Sequence, residues 1–356
     1  TIVDILGELP IGKRKQLITL MKADDQRVIE QLLGYEDDSA GGLMTTEYIA
    51  LNAQLTVVNA LMKIKEIGPK TEVIETIFVL NHKKQLIGTA DLRDILVSEE
   101  NTTLEDIMDD QVIYVYPETD QEEVSLLVSK YDLTTIPVVS KTKAMLGIIT
   151  VDDIIDVIQE EHTEDMLQMH GVSKEESLDS TLFESIKMRL PWLIVNLVTA
   201  FLASFTVKMF ESTIEQIVAL SATMTIVTGM GGNAGSQTLS IMIRSIALGE
   251  VHFKDCLPAL IKEIFLGVIN GFVTGAITGV IVYILYGNFY LGIIICIAMV
   301  GNLVVSGFFG FLIPVALKAV HADPALASSI FLTTATDVLG FFIFLELANI
   351  FLPVLL

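Results

Sequence analysis

Ile264-Phe-Leu-Gly267-Val-Ile-Asn-Gly271-Phe-Val-Thr-Gly275-Ala-Ile-Thr-Gly279-Val-Ile-Val-Tyr-Ile-Leu-Tyr286 runs without one Asp, Glu, Lys or Arg. A bilayer core about 30 Å thick needs roughly 20 apolar helical residues, so this stretch is long enough to cross it. Its glycines recur every fourth residue, which leaves a groove where a second helix backbone can approach closely. The plain reading of that face is helix packing. On either side lie four more such stretches, about Leu190 to Val207, Gln216 to Ile243, Phe289 to Leu317 and Pro324 to Leu352. The last alone carries acids, Asp337 and Glu346.

The chain has 356 residues, 22 Lys+Arg against 44 Asp+Glu, a net charge of −22, and 52% hydrophobic residues. The acids crowd the first 190 residues and the apolar runs follow. This split excludes a single soluble domain and intrinsic disorder, and the acidic excess argues against a nucleic-acid partner, whose phosphates demand a basic face. It predicts an acidic soluble module joined to a membrane module of five spans. Cys256 and Cys296 belong to no CxxC or Cys/His cluster and give neither a disulfide framework nor a zinc site. Thr1 replaces an initiator Met, and no signal-peptide pattern follows, so the numbering is expected to begin within a longer protein.

Orientation follows from basic residues at the ends of the spans. Lys187, Arg189, Arg244, Lys254, Lys262 and Lys318 mark the cytoplasmic ends, whereas the opposite connections hold only Lys208 and the uncharged Gly287-Asn288. The N-terminus is therefore expected inside and the C-terminus outside.

Two features depart from plain membrane anchoring. Gly229-Met-Gly-Gly232-Asn-Ala-Gly-Ser236-Gln237 crowds glycines and polar side chains into the second span. There they would strain and expose backbone that lipid cannot satisfy, so the stretch is expected to face water or a symmetry partner. Asp337, in Thr333-Thr-Ala-Thr336-Asp337-Val338, lies 13 residues after Pro324, about 20 Å along a helix. An ionised carboxylate at that depth costs several kcal/mol without water, a cation or a partner. The spans hold no basic residue to neutralise it. Either it is protonated and bonded to a neighbouring Thr or Ser, or it is a cation site in a pore.

The cytoplasmic half contains an internal repeat. Ile77 to Leu96 aligns without gaps, at an offset of 59, on Ile136 to Ile155, and Met44 to Leu51 matches Met108 to Val115. Each copy reads as strand, turn, strand and then a helix opened by Asp or Thr with Asp three residues later. The pair resembles tandem CBS domains. The resemblance implies an adenine-nucleotide site at Thr150 and Asp153, with Asp91 standing where the first copy usually has Thr. The helix after the second copy holds seven carboxylates between Val151 and Asp165 and no Lys or Arg. Asp153, Asp156, Glu160 and Glu164 fall on one face at steps of three and four, where like charges repel. That face is either simply solvated or a binder of hard divalent cations, which take oxygen ligands.

In order and motif, the whole chain resembles the MgtE family of dimeric magnesium channels. The most specific matches are Gly229 to Gln237, Asp323-Pro324-Ala325 and Thr336-Asp337-Val338. The resemblance implies a partial α-helical N domain at 1–37, an α/β CBS pair with copies at 38–100 and 101–161, a connecting plug helix at 162–189 and an all-α membrane domain of five helices at 190–356. The N-terminal piece would hold two amphipathic helices, Ile11 to Met21 and Asp25 to Leu33, and the connector would be stiff. It also implies a homodimer with Asp337 holding hydrated Mg²⁺ on its axis, flanked by pore-side Gly229, Gly232, Ser236, Ser240 and Ser329. Glu215 and Glu263 match membrane-domain carboxylates, with interfacial solvation as the alternative. Glu122, Asp132, Asp153, Asp156, Glu161, Glu164 and Asp165 would bind regulatory Mg²⁺ and close the pore when cytosolic Mg²⁺ is high.

A CBS-regulated transporter of another divalent metal, such as Mn²⁺ or Co²⁺, is the alternative. An intramembrane protease is disfavoured: HExxH is absent, and Glu346 lies too near the outer end to pair with Asp337 in aspartyl chemistry. The expected protein is therefore not an enzyme.

Overall fold

The computed structural model describes residues 32–251 and 256–355, with positions 13, 17, 18, 20–22, 26, 29 and 30. The two expected N-terminal helices fall largely outside the described residues, and Lys254 wholly so. Of the former, Ile18 and Ile29 are buried, with Met21 and Leu33 against them. The chain divides into two compact units, 1–161 and 162–356.

The first unit runs α1 (Ala40–Leu43), β1 (Ala50–Asn52), α2 (Val57–Ile67), β2 (Thr76–Leu80), β3 (Leu86–Asp91), α3 (Leu92–Val97), α4 (Leu104–Ile107), α5 (Gln121–Lys130), β4 (Thr135–Val139) and β5 (Met145–Thr150). The sequence repeat is also a structural one. β2 pairs antiparallel with β3, setting Val79 against Gly88, and β4 with β5, setting Val138 against Gly147. Residues 59 apart take the same buried places: Ile77 and Ile136, Val79 and Val138, Ile95 and Ile154. The hairpin glycines explain why the upstream segments also match. A Cβ on Gly88 would meet Met108 Sδ at 2.5 Å, and one on Gly147 would meet Thr45 O at 2.7 Å. The start of each upstream segment thus lies on the hairpin of the other copy, bridged at Thr45 to Ile148 and at Thr89 to Asp109, while its end pairs in parallel with its own copy, β1 with β2 and Val115 with Val138. Asp91 caps α3 by accepting from Arg93 N, which accounts locally for the acid at that position.

Helix α6 (Val151–Gln168) follows β5 directly. The second unit continues with α7 (Leu182–Met209), α8 (Glu211–Gln216), α9 (Ala219–Ala247), α10 (Cys256–Tyr286), α11 (Phe289–Ala319), α12 (Ser328–Ile350) and α13 (Leu352–Leu355). Among the described residues, α7, α10, α11 and α12 are long and apolar enough to cross a membrane. α9 is equally long at 29 residues but dilutes its apolar content with Gly, Thr, Ser, Asn and Gln. It is built into the bundle all the same: Leu220, Val227 and Leu239 are fully buried.

The glycine face of α10 lies on the backbone of α11. Added Cβ atoms would fall 2.6 Å from Leu303 O at Gly267, 2.6 Å from Val300 Cα at Gly271, 2.9 Å from Cys296 O at Gly275 and 2.6 Å from Gly292 O at Gly279. Such close approach multiplies dispersion contacts, the main attraction left between helices once lipid removes the hydrophobic drive.

Two expectations are corrected. The stretch from 162 to 189 is not one stiff helix: α6 ends at Gln168, Gly171 takes φ +70°, and α7 begins at Leu182. The break has local causes. Gly171 enters the left-handed region at no steric cost, and Thr181 with Glu184 forms a capping box that starts a new helix. Pro191 lies inside α7 without ending it. The glycines of α9, for their part, do not open its backbone, because the helix runs unbroken from Ala219 to Ala247.

Candidate functional site

α9 and α12 define the candidate permeation site. A Cβ on Gly235 would meet Leu332 Cδ1 at 2.8 Å, while Gly231 and Gly340 both abut the amide of Asn302 on α11. The two helices therefore pass antiparallel, and Asp337 stands level with the Gly231–Gly235 segment. Its carboxylate is half-buried, with no hydrogen bond or ion pair among the described residues. The neighbouring hydroxyls do not serve it. Thr333 donates to Ser329 O at 2.8 Å, Thr334 to Ile330 O at 2.7 Å and Thr336 to Thr333 O at 3.1 Å. All three Thr hydroxyl protons are spent on carbonyls of their own helix, so none is donated to an ionised Asp337.

The polar residues of α9 share one face. Gly229, Asn233, Ser236, Gln237 and Ser240 are exposed, Gly232 is partly so, and added Cβ atoms on Gly229 and Gly232 would meet nothing within 4 Å. The helix thus presents a small, polar stripe outward while Leu220, Val227, Gly231, Gly235 and Leu239 pack inward. Asn302 escaped the sequence reading. The available signal was a lone amide in the uncharged run of α11.

Ser329 is occupied otherwise than expected of a pore-side group. Its hydroxyl donates to Met169 O at 2.5 Å and its N–H to the same oxygen at 3.2 Å, while Ala327 N donates to Gln168 O at 2.9 Å. The end of α6 is thereby tied to the start of α12. Met169 packs with Ile243, Ala325 and Leu332. Beside it, burial pushes the Asp323 carboxyl above its ordinary value, opposed by the Ala325 N–H and reinforced by the charge of Glu164. Glu263, half-buried on α10, accepts from Thr238 Oγ1 of α9 at 2.9 Å. Glu215 is exposed on α8.

The cytoplasmic carboxylates are dispersed. Thr150 donates to Asp153 at 2.6 Å, Gln121 donates to Glu161 at 2.6 Å, and Glu164 pairs with Lys174 at 3.1 Å. Asp156 and Glu160 are exposed. Asp132 sits in a turn with φ +51°, Glu122 lies in the first turn of α5, and Asp165 is half-buried on α6. Among the described residues, no three His, Cys, Asp or Glu side chains come together as a metal-binding group.

Long apolar helices, an Asp337 carboxylate with no partner among the described residues and a CBS-type repeat are the combination expected of a membrane cation transporter with an attached cytosolic module. The MgtE family model, described as a divalent cation transporter, matches residues 224–347, and the CBS domain model matches 104–160. A magnesium transporter MgtE of Bacillus subtilis (strain 168) is 32% identical over 335 residues, spanning 94% of this chain and 74% of the relative. That of Thermus thermophilus is 33% identical over 346 residues, 95% and 75% respectively. The chain belongs to the MgtE family. A solved cytosolic domain of the Mg²⁺ channel MgtE in complex with ATP is 39% identical, with a TM-score of 0.42, over 44% of this chain and 64% of that one.

Proposed function

We propose that the chain conducts Mg²⁺ across the membrane as a homodimer, with Asp337 of each copy facing a shared aqueous path. The observation that carries this reading is the half-buried Asp337 carboxylate, without a hydrogen-bond or ion-pair partner among the described residues, level with an exposed polar stripe of α9 on which added Cβ atoms at Gly229 and Gly232 would meet nothing within 4 Å. Lipid cannot satisfy either feature, whereas a second copy with water between the two satisfies both. Mg²⁺ sheds its water reluctantly, so a path lined by glycines, hydroxyls and one carboxylate per copy suits the hydrated ion. The small stripe leaves room for that shell, and Gly229, Gly232, Ser236 and Ser240 would line it.

The acidic cytoplasmic unit, with CBS copies over 38–100 and 101–161, would act as the sensor. Asp156 and Glu160 are exposed and free of the bonds that occupy Asp153 and Glu161, and they would offer oxygen ligands to a hard divalent cation. Cytosolic Mg²⁺ bound there would screen the charge and favour the closed state. In that state the contacts of Ser329 and Ala327 with the end of α6 would hold the cytoplasmic side of the path shut. The N-terminus would lie in the cytoplasm and the C-terminus outside, and ATP would bind near Thr150 and Asp153.

The test is Mg²⁺ uptake into proteoliposomes by the parent chain and its Asp337→Asn variant, across a series of Mg²⁺ concentrations on the cytoplasmic face. Uptake that needs the carboxylate and falls as cytoplasmic Mg²⁺ rises is the expected result. Uptake unchanged by Asp337→Asn would move the path elsewhere in the bundle.

A further inference from the structure

We propose that Asn302 is a positioning residue for Asp337, an inference that rests on the pore reading above. Asn302 is fully buried in the middle of α11. Its Nδ2 donates to Val227 O of α9 at 2.8 Å, and its Oδ1 has no hydrogen-bond donor among the described residues. Both neighbouring helices are cut away to admit the amide. A Cβ on Gly231 of α9 would overlap Nδ2, and a Cβ on Gly340 of α12 would come within 2.8 Å of Oδ1. One side chain therefore grips the helix that carries the polar stripe and abuts the helix that carries Asp337, one turn from that residue.

Packing alone does not account for an amide here. A buried acceptor left unpaired is unfavourable, and a branched apolar side chain of similar volume would fill the same gap without that penalty. The hydrogen bond to Val227 O supplies what an apolar residue cannot, a fixed direction. It sets α11 against α9 in one rotation and depth, and Gly340 can then approach only where the amide lets it. The height of Asp337 relative to Gly232 and Asn233 is fixed through that junction. A hydrated ion spans the path through water, so small displacements of the carboxylate change how its shell fits.

The experiment compares the full chain with Asn302→Leu and Asn302→Ser in proteoliposomes, reading KM and maximal rate for Mg²⁺ and the ratio of Mg²⁺ to Ca²⁺ uptake, with melting of the purified protein alongside. Asn302→Leu keeps a branched shape and drops both polar atoms. The expected result is melting unchanged or raised, with KM for Mg²⁺ shifted about tenfold, short of the roughly hundredfold that a misplacement of about 1 Å can cost, and a lower Mg²⁺ to Ca²⁺ ratio. A merely structural residue would change the amount of active protein, and hence the maximal rate, at constant KM and constant ratio. That outcome, or loss of folded protein in both variants, would overturn the proposal. Asp337→Asn run in parallel separates the two readings. If it transports like the parent, the pore assignment itself falls; if it is inactive while Asn302→Leu keeps KM and ratio, only the role of Asn302 falls.

Discussion

Replacing Gly271 by alanine tests the packing that holds the bundle together. The added Cβ would lie 2.6 Å from Val300 Cα and 3.2 Å from both Met299 O and Val300 N, all backbone atoms. No rotamer change relieves a clash with backbone, so α10 and α11 must separate locally. Overpacking of this kind costs about 1–3 kcal/mol, and the better helix propensity of alanine returns at most about 1 kcal/mol. Gly229→Ala is the matched control, since its Cβ would meet nothing within 4 Å and only the propensity gain remains. The two variants should therefore differ by about 1–3 kcal/mol, a melting difference of about 2–4 °C per kcal/mol for a domain of this size. Thermal unfolding of the purified proteins in detergent, followed by circular dichroism, reads that difference directly. Equal melting temperatures, or a more stable Gly271→Ala, would refute the close backbone approach of α10 and α11.

Three further expectations follow from the same geometry. Because burial raises the Asp323 carboxyl above its unfolded value, its ionised form costs stability; the cost is absent below the unfolded carboxylate range and grows as pH rises through it. Asp323→Asn should therefore raise the melting temperature at pH 7 and lose that advantage as pH falls toward 4 (about the unfolded value for Asp), which melting curves across pH would check. Ser329→Ala removes the hydroxyl bond to Met169 O but keeps the backbone bonds; losing about 1 kcal/mol from the closed state should raise the half-inhibiting cytoplasmic Mg²⁺ about fivefold in uptake assays. Thr238→Val strips Glu263 of its 2.9 Å donor; melting should fall by about 1–2 kcal/mol equivalent, whereas Glu263→Gln, which can still accept from Thr238, should fall less.

How much was legible before the structure depends on the kind of signal. The repeat was, because a hairpin buried on one face forces the same apolar residues at the same spacing, as at Ile77 and Ile136. So was the α10 groove, because only glycine admits a backbone at 2.6 Å and four of them recur at helical spacing. The break after Gln168 was less so: amphipathic spacing continued through Leu178 and Leu182, and nothing in that pattern registers that Gly171 turns left-handed. The role of Ser329 was hidden for a different reason. Its partner is a main-chain oxygen 160 residues away, and backbone acceptors leave no trace in side-chain patterns. Asn302 combined both difficulties, an amide whose one bond is to a carbonyl 75 residues distant and whose neighbours are glycines.

The contrast between Asp337 and the cytoplasmic acids bears on how one chain could both pass and sense the same ion. A tight cage of several carboxylates would strip water from Mg²⁺ and hold it, which suits a sensor and defeats a path. Asp337 is solitary, and the small stripe level with it brings no second charge from the same copy. On the proposed reading, its attraction for a hydrated ion would be strong enough to draw the cation into the path and weak enough to release it. The acids of α6 have the opposite character: seven carboxylates share one helix that carries no Lys or Arg, and Asp152, Asp156 and Glu160 among them are exposed. An ion bridging them to another surface gains from every repulsion it relieves, so occupancy there should respond steeply to concentration, whereas the path needs only transient contact.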